Sequence, residues 1–405
     1  MLGSPDLLHW LAYAATGLAA IGLGQAAAGY VALRRFAARS RPPIPSSRPP
    51  VSLLKPLYGD EALLEAALAS NCVQDYPNLQ ILFGVKSADD PALAVVDRLR
   101  ARFPQCDIAV VINPAEHGDN RKIGNLINML PAAKHDVLVI ADSDVHVAPD
   151  YLDIVVASLG LPGVGLVTTL YAGLPSGTSL AGRLGATAIT HGFLPGALLA
   201  RELGRQDCLG ATMALRRATL HAIGGLEALV DHLGDDQLLG RLVQRLGLHV
   251  HLAATVTATT VPETDLPSLL RHELRWARTI LSFVPVEFAA SALQYPIAWT
   301  LLAFALSGGA PWAIAAVALT WLGRAAIARG LDARLGLAQC GLASPAPIWL
   351  LPLRDLLSIA VLVASYAGDR VEWRGNTLHA TPMPDDAATT SHPKLPAPKA
   401  APQPR

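Results

Sequence analysis

Across 405 residues the chain is 52% hydrophobic with a mean hydropathy of +0.36, too apolar for an ordinary soluble enzyme, yet 16% of its residues are charged. A soluble domain joined to membrane spans accounts for both. The formal net charge of zero gives no argument for a nucleic-acid partner, and Cys72, Cys106, Cys208 and Cys340 lack metal-ligand spacing, so they read as free thiols in a reducing compartment.

Leu7 to Leu33 is an uncharged apolar run, longer than the roughly 20 residues that cross a bilayer. Arg34, Arg35, Arg39, Arg41 and Arg48 follow it and only Asp6 precedes it, whereas a signal peptide carries its positive charge in front. The run is an anchor, and the positive-inside rule puts its N-terminus outside and the chain after Arg34 in the cytoplasm. Residues 34–50 form a basic linker, stiffened by proline from Pro42 to Pro50.

A soluble domain is expected over 51–280. Val51 to Leu54 reads as a strand leading into Lys55 and Pro56, Glu61 to Ser70 as a helix, and Leu79 to Val85 as a strand that runs into Asp89 and Asp90. Pro91 starts a helix through Arg102, Ile108 to Ile112 is a third strand, and a helical segment from Lys122 to Leu130 follows. This alternation predicts a parallel α/β sheet with Lys55, Asp90 and Asp142 along one edge. Asp90 equally suits a helix N-terminus, where the dipole favours a carboxylate.

The most informative stretch is Asp136 to His146. Val137 to Ile140 reads as a strand buried on both faces, and it ends in Asp142-Ser143-Asp144. Extended geometry puts both carboxylates on one side. That spacing suits a hard divalent cation, Mg²⁺ or Mn²⁺, whose remaining positions go to water and phosphate; the alternative is a simple turn cap.

Val164 to Leu170 and Thr212 to Arg216 read as further strands, separated by a Gly-rich region from Leu180 to Ala200 that is either an interfacial helix or core and that contains His191. Asp235 and Asp236 stand ahead of a helix from Leu238 to Leu246, either capping it or holding a general base above the sheet. Arg271, Arg275 and Arg278 share one helical face beside Trp276, which also fits a basic helix at a membrane surface. Residues 281–368 read as a membrane region with spans near 288–306, 311–327 and 348–368. Arg354 and Asp355, inside the last, are expected to neutralise each other near the cytoplasmic interface, with a re-entrant segment as the alternative. Residues 369–405 form a tail, disordered from about 381 by its Pro, Ala and polar composition.

An N-terminal span, a Lys-bearing first strand, D-D-P-A at Asp89, D-S-D at Asp142, D-D-Q at Asp235 and H-E-L-R-W at His272 ahead of apolar spans occur in that order. The whole resembles the ceramide glucosyltransferases and their bacterial relatives, including the hopanoid-biosynthesis glycosyltransferases. The resemblance implies an α/β GT-A catalytic domain, Rossmann-like with a mostly parallel sheet, between N- and C-terminal transmembrane helices. It implies that Asp90 contacts the uridine of a UDP-sugar, that Asp142 and Asp144 hold the metal, that Asp236 is the general base, and that Arg275 and Trp276 lie near diphosphate and acceptor. The family has Gln or Arg where this chain has His272.

Breaking a sugar–UDP bond leaves a diphosphate that a metal with Arg or Lys stabilises, and a positioned carboxylate takes the acceptor's proton. The expectation is an inverting transfer of a single sugar, glucose or N-acetylglucosamine class, from a UDP-sugar donor to a lipid acceptor of the membrane bilayer. Lys55, Asp90, Lys122, Asp142 and Arg275 would bind the nucleotide sugar, with Asp235, Arg275, Trp276, His191 and His272 on the acceptor and diphosphate side. The acceptor is a hopanoid or a ceramide-like lipid; Arg outnumbering Lys and abundant Ala lean toward a high-GC bacterium and its inner membrane, and so toward the hopanoid or a bacterial lipid. The alternatives are a processive polysaccharide synthase and a non-catalytic membrane scaffold.

Overall fold

A computed structural model describes residues 7–44, 47–336, 345, 347–368, 370–373 and 376–379. The expected tail beyond residue 381 and Cys340 lie outside them. In chain order the elements are α1 (Leu7–Ala37), β1 (Val51–Pro56), α2 (Leu64–Cys72), β2 (Leu79–Val85), α3 (Ala92–Arg102), β3 (Asp107–Ile112), α4 (Arg121–Met129), β4 (Val137–Ala141), β5 (Val145–His146), α5 (Tyr151–Leu159), β6 (Val164–Pro175), α6 (Leu180–Ala188) and α7 (Leu194–Glu202). Then follow β7 (Thr212–Arg216), α8 (Arg217–Ala222), α9 (Asp235–Arg245), β8 (His249–Val261), α10 (Leu266–Phe283), α11 (Pro285–Ala290), α12 (Pro296–Leu306), α13 (Pro311–Leu335), α14 (Leu351–Ser365), and a short antiparallel pair, β9 (Arg370–Trp373) with β10 (Asn376–His379).

The central strands are apolar on both faces because helices cover both. Leu53 and Val139 pack with Leu68, Val96 and Tyr151 of α2, α3 and α5, whereas Leu54, Leu138 and Ile140 pack with Ile123, Leu126 and Leu239 of α4 and α9. Successive residues serve opposite layers, as the twofold period of a strand requires. The eight strands run in the order β3-β2-β1-β4-β7-β6-β8-β5. Pairings β1–β2, β1–β4, β2–β3 and β6–β8 are parallel, and β4–β7, β6–β7 and β5–β8 antiparallel. The strand order reverses between β1 and β4, which opens a crevice at their carboxyl ends.

The 13-residue β8 went unanticipated, and with it β5, whose Val145 and His146 pair with Thr259 and Ala258. The Leu180–Ala200 region is one helical run, α6 and α7 joined by a π-helical turn at Ile189–Phe193. It packs on the membrane helices: a Cβ on Gly29 of α1 would lie 2.8 Å from Pro195 Cβ.

Three helical stretches are long and apolar enough to cross a bilayer, Leu7–Ala37, Pro311–Leu335 and Ile348–Ser365, so this is a membrane protein. The expected continuous span at 288–306 is broken. Pro285–Gln294 and Pro296–Leu306 meet at 69°, because Pro296 cannot donate a helical hydrogen bond and its ring excludes the preceding turn. Arg354 and Asp355 do not pair with each other either. Arg354 forms a two-pronged ion pair with Glu273 of α10 at 2.6 and 2.7 Å. Asp355 faces Arg324 of α13 at 3.7 Å and accepts from the Ile297 amide at 3.1 Å. Adjacent helical positions point apart, so each side chain finds a neighbouring helix.

Candidate active site

The carboxyl end of β1, the loop after β4 and the first turns of α4 and α9 bring an acidic cluster together around two lysines. Asn120 sets its geometry. Its Oδ1 caps α4 by accepting from the Ile123 amide at 3.1 Å, while its Nδ2 donates to His232 O at 2.7 Å and to Asp235 Oδ1 at 3.3 Å. This ties the start of α4 to the loop ahead of α9. Lys122, in the first turn of α4, therefore reaches both sides of the crevice, with Nζ 2.7 Å from Asp142 Oδ1 and 3.4 Å from Asp235 Oδ2. Burial works against that ammonium, but the charges of Asp142, Asp235 and Asp236 prevail and raise its pKa.

Asp144 accepts a short hydrogen bond from the Thr259 hydroxyl, and the Ser143 hydroxyl donates a short one to Glu61. Burial, then the charge of Asp142, pushes the Asp144 carboxyl up to about 6. Lys55 is fully buried beneath the pair, its ammonium donating to Val145 O at 3.2 Å. Burial brings it down to about 8, against the opposing pull of Asp144, Asp142 and Glu61. Two mutually repelling, partly desolvated carboxylates fit a divalent cation that takes its other ligands from water and a diphosphate. Among the described residues no third His, Cys, Asp or Glu completes a protein-only metal cage.

Of the two aspartates that open α9, Asp235 is 6% exposed and committed to Asn120 and Lys122. Asp236 is half-buried, and its Oδ1 accepts from the Gln237 amide at 2.8 Å. Burial, then Asp235, pushes Asp236 up to about 7 despite Lys122. The loop before β7 lies against it, since a Cβ on Gly210, at φ +78°, would meet Asp236 Oδ2 at 2.8 Å. The Tyr171 phenol is raised by burial, then by the charges of Asp236, Asp142 and Asp144. Tyr171 stacks on Phe193 at 4.8 Å, and both, like Trp276, pack against Ala186, Ile189 and Val261.

Lys55, Lys122, Asp142, Asp144, Asp235 and Asp236 thus converge. Asp90 stands at the same sheet edge, with its carboxylate accepting from the Gly59 amide at 3.0 and 3.2 Å and from the Ala92 amide at 2.9 Å. That ties the loop after β1 to the start of α3. On α10, His272 makes a short hydrogen bond through Nδ1 to Glu263 and meets Trp276 edge-on at 4.7 Å. The charge of Arg275 helps to lower the pKa of the same Glu263. His191 lies away from the cluster. Its Nε2 is 2.7 Å from Asp332 Oδ1 of α13, which ties the π-helical turn between α6 and α7 to a membrane helix. Glu61, Tyr171 and Thr259 escaped the sequence reading, because nothing local marks them as facing Asp142 and Asp144.

The sequence profile described as Glycosyl transferase family 21 matches residues 14–385. Ceramide glucosyltransferase 3 of Caenorhabditis elegans is 24% identical over 349 residues, 82% of this chain and 73% of that protein. The ceramide glucosyltransferase of Komagataella phaffii is 33% identical over 119 residues, so the match spans 28% of this chain and 23% of that protein. Among solved structures, a mannosyltransferase from Pyrobaculum calidifontis in complex with GDP-Man and Mn2+ superposes with a TM-score of 0.51 at 21% identity, covering 89% of this chain and 99% of that one. At that identity the likeness speaks for the fold alone.

Proposed function

The chain belongs to glycosyl transferase family 21 and has a GT-A-like fold, and from that premise we propose that it transfers one hexose or N-acetylhexosamine from a UDP-sugar to a hydroxyl of a membrane lipid, with inversion. The observation that carries the reading is the division of labour between neighbouring aspartates. Asp235 is buried against Lys122 and Asn120, and Asp236 beside it is left half-buried near pKa 7. A carboxylate tuned near neutrality is suited to take the acceptor's proton, worth roughly 10²–10⁴-fold in rate. One base suffices for a single displacement.

Asp142 and Asp144 would hold Mg²⁺ or Mn²⁺, which when bound neutralises charge developing on the departing diphosphate. Lys122 holds Asp142 and Asp235 in place, and Lys55 offsets the repulsion between Asp142 and Asp144 from below. The Tyr171, Phe193 and Trp276 rings supply an apolar wall toward the membrane helices for the acceptor. The arginines after α1 support a cytoplasmic catalytic side in a bacterial inner membrane. The acceptor, hopanoid or ceramide-like, arrives from the bilayer and the UDP-sugar from the cytosol.

The test incubates membranes holding the full chain with a panel of UDP-sugars and Mg²⁺ or Mn²⁺, then extracts the lipids for mass spectrometry. A product one sugar heavier than its acceptor, lost on chelation, is expected. A ladder of oligomers would identify a polymerising synthase instead, and no transfer with any donor would leave a scaffold.

A further inference from the structure

We propose that the cavity between α6, α13 and the segment leading into α14 binds the phosphate headgroup of an anionic phospholipid. The cavity holds about 320 Å³ and is lined by Arg183, Thr187, Arg329 and Trp349, with Pro175 at the end of β6. Arg183 and Thr187 are four apart on one face of α6. Arg329 lies on the arginine-bearing end of α13, past its apolar run, where a cytoplasm-facing helix leaves the hydrocarbon.

Charge decides the ligand class. Among the described residues neither Arg183 nor Arg329 has a hydrogen bond or ion pair through its guanidinium. The neighbouring cations face carboxylates of their own, Arg324 opposite Asp355 at 3.7 Å and Arg354 paired with Glu273. Asp332, one turn beyond Arg329, is held by His191. Two uncompensated forks in one concave site select an anion with planar pairs of oxygens, and phosphate is the one a bilayer presents. A neutral polyol or sphingoid head gives them nothing to pair with. Trp349 is 61% exposed at the rim, and the Trp321 indole beside it donates to Ile348 O at 2.7 Å. Such an Arg–Trp border marks headgroup depth. Below it Leu319 and Leu322 of α13 are each 68% exposed, an apolar wall for the acyl chains.

The full chain, exchanged from a mixed phosphatidylcholine and phosphatidylglycerol micelle, is examined by native mass spectrometry. This readout is of lipid retention, so it stands whether or not the transfer reading does. Wild type is expected to retain one phosphatidylglycerol per chain, and Arg183→Gln/Arg329→Gln to retain about a hundredfold less, about tenfold for each of the two charge-assisted contacts removed. Should that variant not fold, brominated lipids in the wild type serve: brominated phosphatidylglycerol should quench tryptophan fluorescence more than brominated phosphatidylcholine. Equal quenching, or equal retention by the double variant, overturns the proposal. Displacement of the retained lipid by millimolar inorganic phosphate would assign the cavity to a soluble phosphate, and displacement by UDP would assign it to the donor; either would also overturn it.

Discussion

Lys122 contacts both sides of the crevice, and replacing it with methionine removes the charge while keeping most of the side chain's bulk. Its ammonium lies 2.7 Å from Asp142 and 3.4 Å from Asp235, and it is 14% exposed. Unit charges about 3 Å apart interact by about 5 kcal/mol at an effective dielectric of about 20, and stripping one partner from a buried pair costs about 3–5 kcal/mol. Asp142 is 38% exposed, so solvent screens its share and the lower end, about 3 kcal/mol, applies. For a unit of this size that is a fall in Tm of about 6–12 °C.

The sign of the pH dependence follows from Asp236. Its folded pKa, about 7, is above the ordinary 3.8. The folded state therefore holds the proton more tightly, and stability present at low pH is lost as pH rises from about 4 through about 7. Lys122 opposes that loss, so the variant's deficit should be smaller near pH 5.5, where Asp236 carries a proton and only Asp142 and Asp235 lose their partner, than near pH 8.5, where the charge of Asp236 adds to it. Tryptophan-fluorescence melting of the detergent-solubilised chain at both pH values measures it. A deficit of the same size at both, or none at the higher, would refute the electrostatic reading of this cluster.

Gly210→Ala should cost about 1–2 kcal/mol, since a Cβ there is strained at positive φ and meets Asp236 Oδ2 at 2.8 Å; by displacing the base it should lower kcat more than it raises KM. Because the base works deprotonated, kcat/KM should fall as pH drops below about 7, in line with the raised pKa of Asp236; a profile flat from about pH 5 to 8 would remove Asp236 from that role. Arg354→Met should destabilise by about 3–5 kcal/mol by stranding Glu273, and the double variant with Glu273→Leu should recover most of that melting temperature; a double variant as unstable as the single one would show that the pair is not the cause.

The parts of the fold and site that were legible in the sequence carry strong local signals. Val137 to Ile140 followed by Asp142 and Asp144 is a buried strand ending in acid, and it lies at the reversal of strand order beside β1. Seven of the thirteen residues of β8 are Thr or Val, but their mild polarity hides a strand that hydropathy alone does not reveal. Without β8, Thr259 could not be set beside Asp144, nor could Tyr171, on the neighbouring β6, be set over the cluster. The 288–306 run is mostly apolar and carries no charge, so hydropathy registers a span where Pro296 imposes a 69° bend. Arg354 and Asp355 look like a pair only in one dimension; their partners, Glu273 and Arg324, come from other helices. His191 likewise answers to Asp332, 141 residues away.

The account stands on Asp236 as the base of a sugar transfer, and Asp236→Asn tests this with two readings on one preparation. The variant should bind UDP with a Kd close to that of wild type, because the proposed nucleotide contacts, Asp90 and Asp142, lie outside α9, and should transfer sugar to lipid about 10²–10⁴-fold more slowly. Wild-type turnover by Asp236→Asn would contradict it.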